Sequence, residues 1–180
     1  MTDERGGRYF REARFFLAGD RVAAQSHILE ARSLMGQLLD VTRRETRLAV
    51  SGIDPDRVVY DDNPAWRVRD VVGHLGVWNG EAARSLGAHA KGGEYYCIAE
   101  EKYDEYNGLA VDTRRNWNIE QVWSEYEAAY DQLKLLVETM PVEKWNIEML
   151  YPWNERGTIQ NLIEVMMEHD VEHREIILAG

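Results

Sequence analysis

One cysteine in 180 residues, Cys97, leaves nothing for an internal disulfide framework or a thiolate zinc cluster. Proline is scarce too, at four residues, so long stretches run without a helix breaker. Positive charge is in short supply: 21 Lys and Arg stand against 32 Asp and Glu. The net charge of -11 argues against a nucleic-acid surface or an anionic membrane as partner. No apolar run approaches the roughly 20 residues that span a bilayer. The start, Met1-Thr2-Asp3-Glu4-Arg5-Gly6-Gly7, lacks the apolar core of a signal peptide. These absences predict a mostly helical protein of the cytoplasm. Its length suits a single domain, 1–180, with a core of about 21–178 behind an N-terminal extension of 1–20.

What the chain does have is helical periodicity. Residues 21–49 place Ile28, Ala31, Met35, Leu38, Thr42, Glu45 and Ala49 at alternating threes and fours, widened by Leu34, Leu39 and Leu48. Ser51-Gly52 ends that helix. A second runs from about 66 to about 89, with Asn63 as cap, Pro64 at its first position and a stripe of Val68, Val71, Leu75, Trp78, Ala82 and Leu86. Lys91-Gly92-Gly93 breaks it. Asn118 and Gln121 form a capping box for a third helix, whose seam of Ile119, Val122, Tyr126, Ala129, Leu133, Leu136 and Met140 stops at Pro141. Residues 141–157 read as a loop, and Thr158 caps a fourth helix.

Between the second and third helices, residues 94–117 are rich in tyrosine and acid, with a short helix over 100–109. At about 3.3 Å per extended residue this segment can cross a bundle, so helices two and three need not be antiparallel neighbours. The expected fold is all-α, a four-helix bundle with a long crossover between helices 2 and 3. Residues 8–18 add a short extra N-terminal helix, whose arginines suit a lid on the acidic bundle, or a homodimer contact, better than a membrane surface.

The fourth helix carries an anomaly. His169 and His173 stand at i, i+4 on the stripe defined by Leu162, Met166, Ile176 and Ile177, so both imidazoles share a face that ought to be buried. Two histidines turned into a core add no stability, whereas a metal ion would use them. At least one more ligand must come from elsewhere, and His74, one turn before Trp78, is the leading donor. Three imidazoles leave positions for water or substrate, as in a catalytic rather than a structural zinc site. Neutral imidazole also suits nickel, iron or copper. Such a metal lowers the pKa of bound water or thiol, or polarises a carbonyl. The metal-free alternative is a polar core cluster satisfied by tyrosine or glutamate partners. His27 reads as a surface residue. Trp78, Tyr126 and Glu172 lie on faces from which they can line a pocket or orient the ligands.

His169-Asp170-Val171-Glu172-His173 also fits H-x-x-E-H, the inverted zinc-protease pattern. Glu172, however, points about 100° around the helix from His173. The sequence runs only to Gly180, and a protease of that kind is expected to draw a third ligand from well downstream.

The stretch from Trp66 to Trp78, with seven residues between Trp66 and His74-Leu75, resembles the helix-two signature of the DinB/YfiT-like superfamily. His169-x-x-x-His173 followed by Ile176, with Gly157-Thr158 ahead of it, resembles the helix-four signature. The resemblance covers roughly 21–178. It implies a four-helix bundle and a divalent metal, zinc or nickel, held by His74, His169 and His173. It also implies kinship with thiol-dependent S-transferases and isomerases that activate a low-molecular-weight thiol. Arg67, where a small polar residue is common, and the N-terminal extension depart from the pattern. The expectation is thus a metal-dependent enzyme, a transferase or isomerase acting on a small-molecule substrate with a thiol cosubstrate. The alternative is a non-enzymatic binding or stress-response bundle whose metal is structural or absent.

Overall fold

Four long helices carry the apolar stripes in the computed structural model, which describes residues 21–61, 65–98 and 100–180. They are α1 (Arg21–Val50), α2 (Val68–Ala90), α4 (Ile119–Thr139) and α6 (Ile159–Ala179). Helix α3 (Tyr103–Arg114) follows a 3-10 turn at Glu100–Lys102 in the crossover, and α5 (Val142–Trp145) is a single turn after α4. The extra N-terminal helix expected over 8–18 lies outside the described residues.

Side-chain pairings give the topology. Asp40 and Arg43 of α1 meet Lys134 and Asp131 of α4, so these helices run antiparallel. Gly73 and Gly76 of α2 lie against Val122 and Tyr126 of α4, so these two run parallel. Thr46 of α1 reaches Asp170 of α6, while His74 of α2 meets His169. The order is up, down, down, up. A parallel α2–α4 pair requires a return across the length of the bundle, which the expected crossover supplies. Its beginning docks through the Cys97 and Ile98 N–H groups, which donate to Pro152 O at 3.1 and 3.0 Å.

Close approach of α2 and α4 depends on glycine. A Cβ on Gly76 would stand 3.1 Å from Tyr126 Cα and 3.2 Å from its N. The capping box of α4 is formed: Gln121 N–H donates to Asn118 Oδ1 at 2.9 Å, and Asn118 N–H to Gln121 Oε1 at 3.0 Å. Thr158 Oγ1 accepts from Asn161 N–H at 3.1 Å at the start of α6.

Three expectations change. The α1 seam is Ile28, Arg32, Met35, Leu39, Thr42, Thr46 and Val50, with Glu45 and Leu48 exposed. A 3.5-residue repeat falls short of a helix of 3.6 residues per turn, and the expected stripe lies one residue before the buried position at Ala31, Leu38, Glu45 and Ala49. Helix α2 begins at Val68, and its N-terminal acceptor is Asp70, whose Oδ2 takes the Arg67 N–H at 2.8 Å. Asn63 and Pro64 lie outside the described residues. The third change is two small hairpins, three of whose strands fall in segments read as loops and one, at Trp66–Arg67, at the expected start of the second helix. β1 (Val58–Tyr60) pairs antiparallel with β2 (Trp66–Arg67), and β3 (Met149–Leu150) with β4 (Arg156–Gly157). Asn154, at φ 68°, turns the second hairpin.

Candidate metal centre

His74, in the second turn of α2, and His169 and His173, one turn apart on α6, come together where the helices cross. His169 Nε2 lies 3.0 Å from His74 Nε2 and 3.1 Å from His173 Nε2. One ligand atom from each residue falls within a common 4.8 Å. The structure thus brings together all three histidines singled out in the sequence.

A single imidazole nitrogen carries either a lone pair or a proton. His169 Nε2 can therefore hydrogen-bond well to one of its two nitrogen neighbours, but not to both. A cation shared by three lone pairs satisfies all three atoms. Around a metal with bonds of about 2.0–2.1 Å, nitrogens at tetrahedral angles stand about 3.3–3.4 Å apart, close to the spacing found. The donor set fits a divalent metal.

The electrostatics keep those lone pairs available. Burial, together with the neighbouring His173, lowers the His169 pKa to about 3. Burial and then the two other imidazoles push His74 well below its ordinary value. His173 is lowered by burial and partly restored by the charge of Glu172. Neutral rings are the form that binds metal.

Partners the sequence did not reveal orient the rings. Tyr60 OH lies 2.9 Å from His173 Nδ1. If Nε2 is the donor to metal, Nδ1 carries the proton and donates a hydrogen bond to the phenol oxygen, which fixes both tautomer and ring plane. Trp66 packs on His74 with ring centroids 5.3 Å apart. Both aromatics arrive on the unforeseen β1–β2 hairpin. His74 Nδ1 is buried and has no hydrogen-bond partner among the described residues.

Asp170 was also missed. It is fully buried beside His169 and accepts from Tyr126 OH at 2.8 Å, Tyr130 OH at 3.0 Å and Thr46 Oγ1. Burial raises its pKa, and these three hydroxyls and Arg174 work against that rise. Its signal was in the spacing, since Ile163, Met166, Asp170 and Ile177 share the buried face of α6. Tyr126 accordingly does not line the pocket; it lies in the core beneath it, holding Asp170. Glu172 is exposed and acts on His173 only through its charge. Trp78 is placed as expected, in the wall.

The three histidines line a cavity of about 910 Å³. Tyr60, Trp66, Trp78, Tyr103 and Trp153 form much of its surface, with Val165 and Met166 from α6. His27 sits apart on α1, its Nδ1 3.8 Å from Glu30. His89 is a structural residue whose Nε2–H donates to Lys144 O at 3.0 Å.

Fold and site define a helical bundle of up–down–down–up topology with a cluster of three histidines between two of its helices. The family model of the DinB superfamily matches residues 38–177, and the chain belongs to that superfamily. Its fold is similar to the crystal structure of a mycothiol-dependent maleylpyruvate isomerase, with a TM-score of 0.64 and 12% identity. It is also similar to a histidine-to-alanine mutant of such an isomerase, with a TM-score of 0.67 and 12% identity. Each match covers 83% of this chain but 60% of the other, so the chain spans less than two thirds of those proteins. At that identity the likeness is one of fold. No curated protein matches the chain.

Proposed function

We propose that this chain is a metal-dependent enzyme of thiol-transfer or thiol-assisted isomerisation chemistry, with His74, His169 and His173 holding zinc or nickel. The observation that carries the reading is the meeting of three Nε2 atoms at 3.0 and 3.1 Å on the wall of a cavity large enough for a substrate. A divalent metal bound there would supply Lewis-acid chemistry, lowering the pKa of a thiol that enters the cavity. The superfamily membership and the likeness to a thiol-dependent isomerase support a thiol as cosubstrate.

The chain's own residues have definite tasks in this scheme. Burial keeps the imidazoles unprotonated at neutral pH. Tyr60 accepts a hydrogen bond from His173 Nδ1–H and holds that ring in place. Asp170 ties the adjoining turn of α6 to α1 and α4, so that His169 does not swing away from its partners. The aromatic wall excludes water and binds the organic part of the substrate. Maleylpyruvate carries carboxylates, and the described lining holds Asp104 and Glu155 but no lysine or arginine. That substrate is therefore not extended to this chain.

The test follows loss of free thiol when zinc- or nickel-loaded protein is given an electrophile and several bacterial thiols in turn. Turnover by wild type that disappears in His169→Ala is the expected result. Turnover that survives in His169→Ala would sink the mechanism. Silence with every thiol would put a binding role ahead of an enzymatic one.

A further inference from the structure

The cavity has a second recognition surface one ring away from the histidines. Trp78, whose ring centroid is 6.4 Å from that of His74, stands 6.2 Å from both Tyr103 and Trp153, at interplanar angles of 84° and 65°. Rings set so steeply to a common partner make the sides of a box rather than a stack. Both indole N–H groups are engaged: Trp78 Nε1 donates to Asn107 Oδ1 and Trp153 Nε1 to Glu155 Oε2, each at 2.9 Å. What the two indoles have left to offer a ligand is π surface. Asp104 and Glu155, both exposed, place two carboxylates at the mouth of the cavity.

Aromatic faces with acid groups beside them attract organic cations, because the ring quadrupole and the carboxylates act with the same sign. Anions meet the reverse, with no lysine or arginine among the described lining residues to offset it. The net charge of -11 adds a long-range pull on cations. We propose that the box formed by Trp78, Tyr103 and Trp153 binds an alkylammonium group, so that the substrate carries a quaternary or protonated amine on the arm that lies away from the histidines. This rests on reading the cavity as the substrate site, and it is independent of what the three histidines bind.

Choline, its neutral isostere 3,3-dimethyl-1-butanol and the anion 3,3-dimethylbutanoate differ in charge with little change in shape. Their dissociation constants are measured by titration calorimetry on chelator-treated and on zinc-loaded protein. Choline should bind about tenfold more tightly than the neutral alcohol to the chelator-treated protein, with the anion weakest. Trp153→Ala should remove most of that preference. Asp104→Asn combined with Glu155→Gln should weaken choline about three- to tenfold and leave the alcohol unchanged, with melting curves confirming that the variants fold. Equal binding of choline and the alcohol, tighter binding of the anion to chelator-treated protein, or a choline preference untouched in both variants overturns the proposal. Choline binding by protein that takes up no zinc or nickel would defeat the metal reading while upholding this one. Zinc uptake without choline preference does the opposite.

Discussion

His169 Nε2 faces two other ring nitrogens at 3.0 and 3.1 Å, a demand that one proton or one lone pair cannot meet. Its neighbours make the demand specific, and two predictions follow at this scale. Tyr60→Phe removes the group opposite His173 Nδ1 and should weaken zinc binding about 10- to 100-fold in a chelator competition, with little change in melting temperature. The second concerns pH. An imidazole in the unfolded chain protonates near pH 6.5, but His169 in the fold does so near 3. Between those values the unfolded state binds the additional proton, so the metal-free protein should lose stability as pH falls from about 6.5 towards 3. Denaturant midpoints at about pH 7 and about pH 5 should show the drop, and it should shrink in His169→Gln. The i, i+4 pair was legible in the sequence because helical spacing alone puts two histidines on one face. Tyr60 was not, because its contact with His173 spans 113 residues and depends on a hairpin that no periodicity announces.

At the scale of elements, α2 shows how finely the helix contacts are set. Gly76 lies where a methyl group would press on the Tyr126 backbone, whereas Gly80 on the same helix has nothing within 4 Å of such a methyl. Gly76→Ala should therefore destabilise the protein by about 1–3 kcal/mol through forced separation of α2 and α4. Gly80→Ala should stabilise it by about 0.5–1 kcal/mol through reduced freedom of the unfolded chain. Urea titration of the two variants checks both signs in one experiment. The long helices were readable because apolar positions recur over many turns, and Asn118 and Thr158 start α4 and α6 as their side chains dictate. The β1–β2 and β3–β4 hairpins escaped because strands of two or three residues carry too few positions to show alternation. Yet these short elements bring Tyr60, Trp66 and Trp153 to the cavity. The fold was legible from its helices, and the site only as far as the ligands carried by those helices.

For the whole molecule, the buried carboxylate of Asp170 joins α1, α4 and α6 through Thr46, Tyr126 and Tyr130. Removing it by Asp170→Ala leaves three hydroxyls facing a site without an acceptor, and should cost about 3–5 kcal/mol in denaturant unfolding. Because His169 is the next residue, metal affinity should fall as well. The up–down–down–up order gives that network its purpose, since it brings the C-terminal part of α1 and the N-terminal parts of α2 and α4 alongside the C-terminal half of α6. The histidines, Asp170 and the aromatic cavity consequently share one end of the bundle. We propose that this end of the bundle is built to hold a divalent metal. Its most direct test is metal content by elemental analysis, on untagged protein exposed to zinc or nickel at neutral pH and then desalted, in parallel with His74→Ala, His169→Ala and His173→Ala. One metal ion per wild-type chain and loss of tight binding in each variant are the expected results. Wild-type protein that retains neither metal, with all three variants as stable as wild type, would contradict the proposal.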